Sequence, residues 1–139
     1  MPCSKLSLLK LVRMNIPQSD LPRVIVIGGG FGGVSLSRKL TKQNFQVVLI
    51  DRHNYHNFQP LMYQVATSGL EPDSIAFPLR GLVEDRNNFI FRLATVDSVL
   101  PEEKILKTSV GDVSFDYLVI ATGTKTNFFG SKNIEESSM

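Results

Sequence analysis

The chain has 139 residues, 42% hydrophobic and 20% charged, which is long and apolar enough for one globular domain with a buried core. Its formal net charge of +2 is uneven, because the first 13 residues carry Lys5, Lys10 and Arg13 and no acid. The rest holds 12 basic and 13 acidic residues, and this near-neutral balance argues against a nucleic-acid-binding protein.

Residues 1–22 are predicted as a leader that is disordered or lies upstream of the true start. Between Cys3 and Arg13 the segment is short, basic and leucine-rich. This composition fits a helix on a membrane surface, a truncated signal-like segment, or a protein that starts at Met14. No small-residue cleavage site follows, which argues against export. Cys3 is the only cysteine, so it has no disulfide partner within the chain.

An apolar strand over residues 23–27 leads directly into a glycine cluster. Gly28, Gly30 and Gly33 fall on the spacing G-x-G-x-x-G of dinucleotide-binding loops. The first glycine permits a tight turn, the second lets the backbone approach a pyrophosphate, and the third lets the helix pack closely on the sheet. The helix that begins here presents its unpaired N–H groups to the phosphates.

The helix and the strand after it complete a βαβ unit. Gly33, Leu36 and Leu40 form one stripe that is predicted to face the sheet, and Asn44 is a plausible end of the helix. A second apolar strand, residues 46–50, ends at Asp51, 18 positions after Gly33. A carboxylate there accepts ribose hydroxyls in dinucleotide-binding folds.

The segment after Asp51 is rich in hydrogen-bonding and aromatic side chains. His53 and His56 stand three apart, but no further His or Cys supplies the other ligands of a metal site, so both are predicted as hydrogen-bonded loop histidines. A short helix is predicted from Pro60 to Val65, ending at Ser68-Gly69. Another is predicted over residues 79–84.

From Phe89 the pattern changes to short β-prone runs separated by turns. Residues 89–96, 105–106 and 113–115 predict a small antiparallel meander, with Gly111-Asp112 as a hairpin turn. A last buried strand over residues 117–121 ends at Thr122-Gly123.

Together, Gly28–Gly33, Asp51 and Asp116-Tyr-Leu-Val-Ile-Ala-Thr-Gly123 resemble the FAD-binding half of the two-dinucleotide-domain flavoprotein reductases. In that superfamily a meander precedes a strand ending in Ala-Thr-Gly. His56-Asn-Phe-Gln-Pro-Leu-Met-Tyr-Gln-Val-Ala66 more specifically resembles type II NADH dehydrogenases, the single-subunit, non-proton-pumping NADH:quinone oxidoreductases. The implied fold is α/β: a Rossmann-like FAD-binding half-domain with a parallel sheet and an inserted antiparallel meander, incomplete in this chain.

The resemblance implies a role for each matching position. Asp51 would hold the adenosine ribose with Arg52 beside it, and the backbone of Val96 would face the adenine. The segment 58–64 would run near the flavin ring, on the side where electrons leave. No catalytic side chain is predicted, because the flavin carries the chemistry. The positions expected along the pyrophosphate are Gly28, Gly30, Phe31, Gly32 and Gly33, and those expected to pass close to the cofactor are Thr122, Gly123 and Lys125.

The predicted divisions are a leader over 1–22, the N-terminal part of the FAD domain over 23–130 and a truncated connector over 131–139. The resemblance implies an NADH domain and membrane-binding helices beyond this chain, attachment to the cytoplasmic face of the membrane, quinone as the acceptor and a homodimer. The chain alone is expected to be inactive. Two alternatives are a self-standing FAD- or NAD-binding module and a reductase with another electron acceptor.

Overall fold

The computed structural model describes residues 13–81, 87–124, 127, 129–130 and 133. Helices and strands alternate at first, and a run of strands follows. In chain order the elements are β1 (Arg23–Ile27), α1 (Phe31–Leu40), β2 (Gln46–Asp51), β3 (Tyr55–Asn57), α2 (Met62–Ala66), β4 (Ala76–Pro78), β5 (Phe89–Leu93), β6 (Val96–Leu100), β7 (Ile105–Thr108), β8 (Val113–Ser114) and β9 (Tyr117–Ile120), with 3₁₀ turns at Gln59–Leu61, Pro72–Ser74 and Leu79–Gly81.

The main sheet is parallel and has the strand order β5-β2-β1-β9. β1 and β2 are almost wholly buried, as expected for apolar runs without polar alternation. They pair in register from Arg23 with Gln46 to Ile27 with Ile50. The predicted α/β class is therefore confirmed.

The predicted antiparallel meander is also confirmed, but with different members. β6, β7 and β8 form it. The run from Phe89 to Val96 was predicted as part of the meander, and the structure divides it. β5 pairs with β2 in the parallel sheet, because Ile90 and Phe91 continue its buried layer. The chain then turns at Ala94, whose N–H donates to the carbonyl of Asp51 at 2.9 Å, and β6 begins at Val96.

A two-stranded antiparallel ribbon of β3 and β4 was not predicted. Its strands are three residues each and are separated by α2, so no hairpin turn signals the pairing. The predicted helix from Pro60 to Val65 corresponds to the 3₁₀ turn at Gln59–Leu61 followed by α2. Of the helix predicted over 79–84, the structure shows a 3₁₀ turn at Leu79–Gly81, and the remainder lies outside the described residues.

Helix α1 ends at Leu40, before the predicted stop at Asn44. Its buried face also differs from the predicted stripe. Gly33 is buried as predicted, but Val34 and Ser37 share that face, while Leu36 and Leu40 are only partly buried at its side. The reason is that Gly33 contacts the backbone at Gly28, which turns the residue one helical turn further on toward the sheet.

Each side of the parallel sheet has its own hydrophobic layer. On one side the sheet packs on α1 and on Leu79 of the 3₁₀ turn. On the other it packs on the meander and on Met14, which is 7% exposed. This second layer contains Met14, Ile25, Ile27, Val48, Ile50, Ile90, Ala94, Leu106, Val113 and Phe115.

Part of the predicted leader belongs to this packing. The N–H of Met14 donates to the carbonyl of Asp112 at 2.9 Å, and the Nε2 of Gln46 donates to the carbonyl of Pro17 at 2.8 Å. The Nε of Arg92 donates to the carbonyl of Asn15 at 3.0 Å. Ordered packing therefore starts before the predicted boundary at residue 23. Residues 1–12, with Cys3 and the leucine-rich run, lie outside the described part of the chain.

Candidate dinucleotide-binding site

The site lies at the carboxyl ends of the parallel strands. β1 has β2 on one side and β9 on the other, so the strand order reverses at β1. In open α/β sheets, ligands bind in the crevice at such a switch point. The glycine loop leaves β1 at this edge, β2 ends there at Asp51, and β9 runs into Thr122-Gly123.

Two of the glycines are required by close backbone contacts. Gly28 has φ +107°, and a Cβ there would overlap the carbonyl oxygen of Ala121. A Cβ on Gly33 would overlap the carbonyl oxygen of Gly28. The turn off the strand and the close approach of helix to sheet are thus the physical reasons for the first and third glycines of the motif.

Gly30 and Gly32 face open space instead. A Cβ built on either would meet no described atom within 4 Å. Gly30 is the N-cap of α1 and makes no side-chain cap hydrogen bond, and the first turn contains no acidic residue. The backbone N–H groups of the first turn have no partner within a helix. They leave a partly positive, uncapped helix end suited to an anion.

Asp51 ends β2 beside the loop. Its Oδ2 accepts a hydrogen bond from the N–H of Gly29 at 2.5 Å, and its Oδ1 accepts one from the N–H of His53 at 2.7 Å. The side chain remains 19% exposed, and each carboxylate oxygen has a second lone pair for a further donor. Arg52 is exposed directly after it.

The other predicted site residues are distributed around the same edge. Thr122 lies against Gly28, with its Cα 3.1 Å from the position of a Cβ there, and Gly123 has φ +69°. Val96 begins β6 and pairs with Thr108, shortly after the Ala94 contact with the end of β2. Lys125 lies outside the described residues.

The two histidines are held by hydrogen bonds and ring contacts. His53 stacks on Tyr55 at a centroid distance of 5.3 Å, and its Nδ1 is 3.8 Å from the Oδ1 of Asp51. The Nδ1 of His56 lies 3.0 Å from the carbonyl oxygen of Gly29. Over the described parts of the chain, no group of three or more His, Cys, Asp and Glu is placed to hold a metal ion.

The contacts around Gly29 were not predicted. Gly29, outside the motif spacing, is held by Asp51 and His56, and the fully buried Leu79 fills the space where its Cβ would be. His56 was predicted to be a hydrogen-bonded loop histidine, and the structure shows the hydrogen-bond contact but places His56 in strand β3. Nothing in the sequence connects Leu79 with Gly29, because their contact depends on the unpredicted ribbon.

The segment 58–64 begins next to the glycine loop. The ring of Phe31 makes edge contacts with His56 at 4.9 Å and with Phe58 at 5.4 Å. Met62 is 50% exposed and Tyr63 is 62% exposed. An aromatic surface therefore adjoins the start of α1.

A family model described as pyridine nucleotide-disulphide oxidoreductase matches residues 22–138. The chain belongs to this family. The matched range contains the whole main sheet, the glycine loop and the meander.

Proteins that resemble the chain include members of the predicted type. The type II NADH:quinone oxidoreductase Ndh of Mycobacterium tuberculosis is 33% identical over 118 residues, which cover 82% of this chain and 26% of the relative. The solved structure of NDH2 from Plasmodium falciparum in complex with NADH has a TM-score of 0.71 and 25% identity, covering 83% of this chain and 25% of that one. The resemblance to type II NADH dehydrogenases is confirmed.

A solved structure whose name gives sulfide, and not NADH, as the electron donor is also similar to this chain. The sulfide:quinone oxidoreductase of Aquifex aeolicus has a TM-score of 0.68 and 30% identity, covering 77% of this chain and 25% of that one. The chain spans about a quarter of the length of the relatives it matches. None of the helices that the structure describes is long and apolar enough to span a membrane.

Proposed function

We propose that this chain is the FAD-binding N-terminal segment of a non-proton-pumping NADH:quinone oxidoreductase. The observation that carries the proposal is the glycine loop at the switch point, with Gly30 and the uncapped start of α1 facing open space beside Asp51. The support for NADH and quinone comes from the names of the relatives, including the type II enzyme of Mycobacterium tuberculosis.

The residues present fit the adenine-dinucleotide part of FAD. A pyrophosphate needs donors and close backbone approach, and Gly30 and Gly32 leave that space open. A ribose needs a carboxylate, and Asp51 has lone pairs to spare. We assign the ribose to Asp51 with Arg52 and the adenine to the backbone of Val96. Thr122 and Gly123 are assigned to pass close to the cofactor. The residues assigned to the pyrophosphate are Gly28, Gly30, Phe31, Gly32 and Gly33.

When bound, FAD supplies the hydride-accepting and electron-transferring chemistry of such an enzyme. The side chains of this segment bind and orient, and none is assigned as catalytic. We propose that the enzyme works at the cytoplasmic face of the cell membrane as a peripheral protein and a homodimer. The names of the NADH:quinone and the sulfide:quinone relatives both contain quinone, whereas their electron donors differ. Quinone as the electron acceptor therefore has broader support than NADH as the electron donor.

The test is FAD binding by the purified chain and by two matched glycine variants. Gly30→Ala places a Cβ in the space assigned to the pyrophosphate, while Gly81→Ala likewise meets no described atom but lies outside the assigned site. We expect Gly30→Ala to weaken FAD binding about tenfold or more, a change of roughly 1.4 kcal/mol, while Gly81→Ala leaves the dissociation constant unchanged. Quenching of flavin fluorescence measures both.

Equal thermal stability of both variants would show that the lost affinity is local. Tighter binding of NAD than of FAD by the wild-type chain would instead favour the NAD-binding module. We also propose that the chain alone does not oxidise NADH with a soluble quinone, since it spans about a quarter of its relatives. Sustained NADH oxidation by the purified chain would contradict this.

A further inference from the structure

The peptide groups on both sides of Gly29 are held by side chains from two other elements. Its N–H donates to the Oδ2 of Asp51 at 2.5 Å, at the end of β2. Its carbonyl oxygen lies 3.0 Å from the Nδ1 of His56, in β3. A carbonyl only accepts, so this contact is a hydrogen bond donated by a protonated Nδ1.

The His56 bond fixes the direction of the next N–H. The carbonyl of Gly29 and the N–H of Gly30 belong to one trans peptide plane and point in opposite directions. His56 holds the carbonyl toward β3, so the Gly30 N–H points away from β3. A Cβ built on Gly30 would meet no described atom within 4 Å, so there is room beside this residue for a ligand to approach the backbone.

The surroundings of His56 fix its own orientation. The Phe31 ring packs edge-on against the imidazole, with 4.9 Å between the ring centroids, and against the Phe58 ring, with 5.4 Å between the centroids. β3 pairs His56 with Phe77 of β4. The imidazole is thus held by the first residue of α1 and by the strand pairing, and it is only partly exposed.

We infer that His56 is a positioning residue that aims the Gly30 N–H at the phosphate of the bound dinucleotide and so ties the aromatic segment to cofactor affinity. This inference rests on the proposed function for its ligand, FAD. Its structural half, the fixed Gly29–Gly30 peptide, does not depend on any ligand. The two halves therefore have separate measurements.

The experiment compares two substitutions that both remove the imidazole and its contact with Phe31. His56→Asn keeps an amide N–H donor near the position of Nδ1, while His56→Leu keeps none. NMR amide exchange of Gly29 without FAD reports on the loop, with Ile25 in β1 as the internal reference. Fluorescence titration with FAD reports on affinity.

We expect His56→Leu to speed Gly29 exchange about tenfold relative to Ile25 and to weaken FAD binding about tenfold. In His56→Asn, the Gly29 exchange rate and the FAD dissociation constant should both lie within about threefold of the wild-type values, since a hydrogen-bond donor is present again. Equal values for the two variants, or Gly29 exchange unchanged by His56→Leu, would overturn the inference, because the hydrogen bond would then not position the loop.

One outcome separates this inference from the proposed function. Slower Gly29 exchange in His56→Asn than in His56→Leu, in a chain that binds no FAD, would support the positioning role and reject the cofactor assignment.

If His56→Leu does not fold, the ¹⁵N shifts of the wild-type imidazole show which ring nitrogen carries the proton. A protonated Nδ1 supports the bond to Gly29, and a neutral ring protonated only at Nε2 overturns it.

Discussion

At the scale of single residues, neighbouring glycines of the same loop have different physical requirements. Gly33 is buried against the carbonyl of Gly28, and Gly32 beside it faces open space. The spacing of the glycines in the sequence does not reveal this difference between the two positions. The structure shows that a side chain is excluded at Gly33 by contact within the protein and that a Cβ at Gly32 would meet no described atom within 4 Å.

Alanine substitution at these two neighbours should therefore have very different effects on stability. Gly33→Ala forces the loop and helix apart, and we expect it to lower the free energy of unfolding by about 3 kcal/mol or more, as for a severe overpacking. Gly32→Ala should leave it unchanged or raise it by up to about 1 kcal/mol, from helix propensity. Urea unfolding followed by circular dichroism measures both. Similar values for the pair would contradict the contact.

Ser37 is a second residue with a distinct prediction. It is fully buried in α1, and its Oγ has no hydrogen-bond partner among the described groups. Ser37→Ala removes a desolvated hydroxyl, so we expect a stabilisation of about 1 kcal/mol beyond that of Ser35→Ala on the exposed face. The two substitutions share the same change in helix propensity, and thermal unfolding gives the difference. A gain no larger than that of Ser35→Ala would indicate that Ser37 finds a partner in solution.

At the scale of elements, the segment before β1 acts as part of the core. Met14 belongs to the buried cluster that contains Ile25, Val48 and Val113, and its N–H donates to the carbonyl of Asp112. Because truncation at Met14 would leave a cavity in this buried cluster, we expect Met14→Ala to cost about 2–4 kcal/mol in the free energy of unfolding. Gln18→Ala, on an exposed residue of the same segment, should be neutral. An equally small effect of both would mean that the segment detaches from the sheet in solution.

The elements also show how far the sequence predicts this fold. The buried runs of β1 and β2, the glycine loop and Asp51 were predictable, because a parallel strand and a phosphate loop each leave a local pattern. The assignment of β5 to the parallel sheet was not, since Phe89–Leu93 and Val96–Leu100 are both simply β-prone. Contacts such as Leu79 with Gly29 and Met14 with Asp112 join distant parts of the chain, and no local pattern encodes them.

At the scale of the whole molecule, the edge strand β9 exposes apolar side chains. Tyr117 is 58% exposed and Ile120 68% exposed, and among the described residues β9 has a partner strand only on the side of β1. An open apolar strand edge favours pairing between molecules. We expect the purified chain to self-associate with rising concentration and Ile120→Lys to reduce this. Sedimentation velocity at several concentrations tests it, and a monomer at all concentrations would contradict it.

The position of β1 in the middle of the sheet has a consequence for synthesis. Its neighbour β2 follows closely in the chain, but its other neighbour is β9, and the N–H of Arg23 bonds to the carboxylate of Asp116, 93 residues away. On the ribosome, β1 and β2 emerge together, and the second edge of β1 stays open until almost the whole domain has been made. The glycine loop acquires its contact with Ala121 later still. A nascent chain that stalls before β9 would therefore present the open, apolar edge of β1 to chaperones and to other nascent chains.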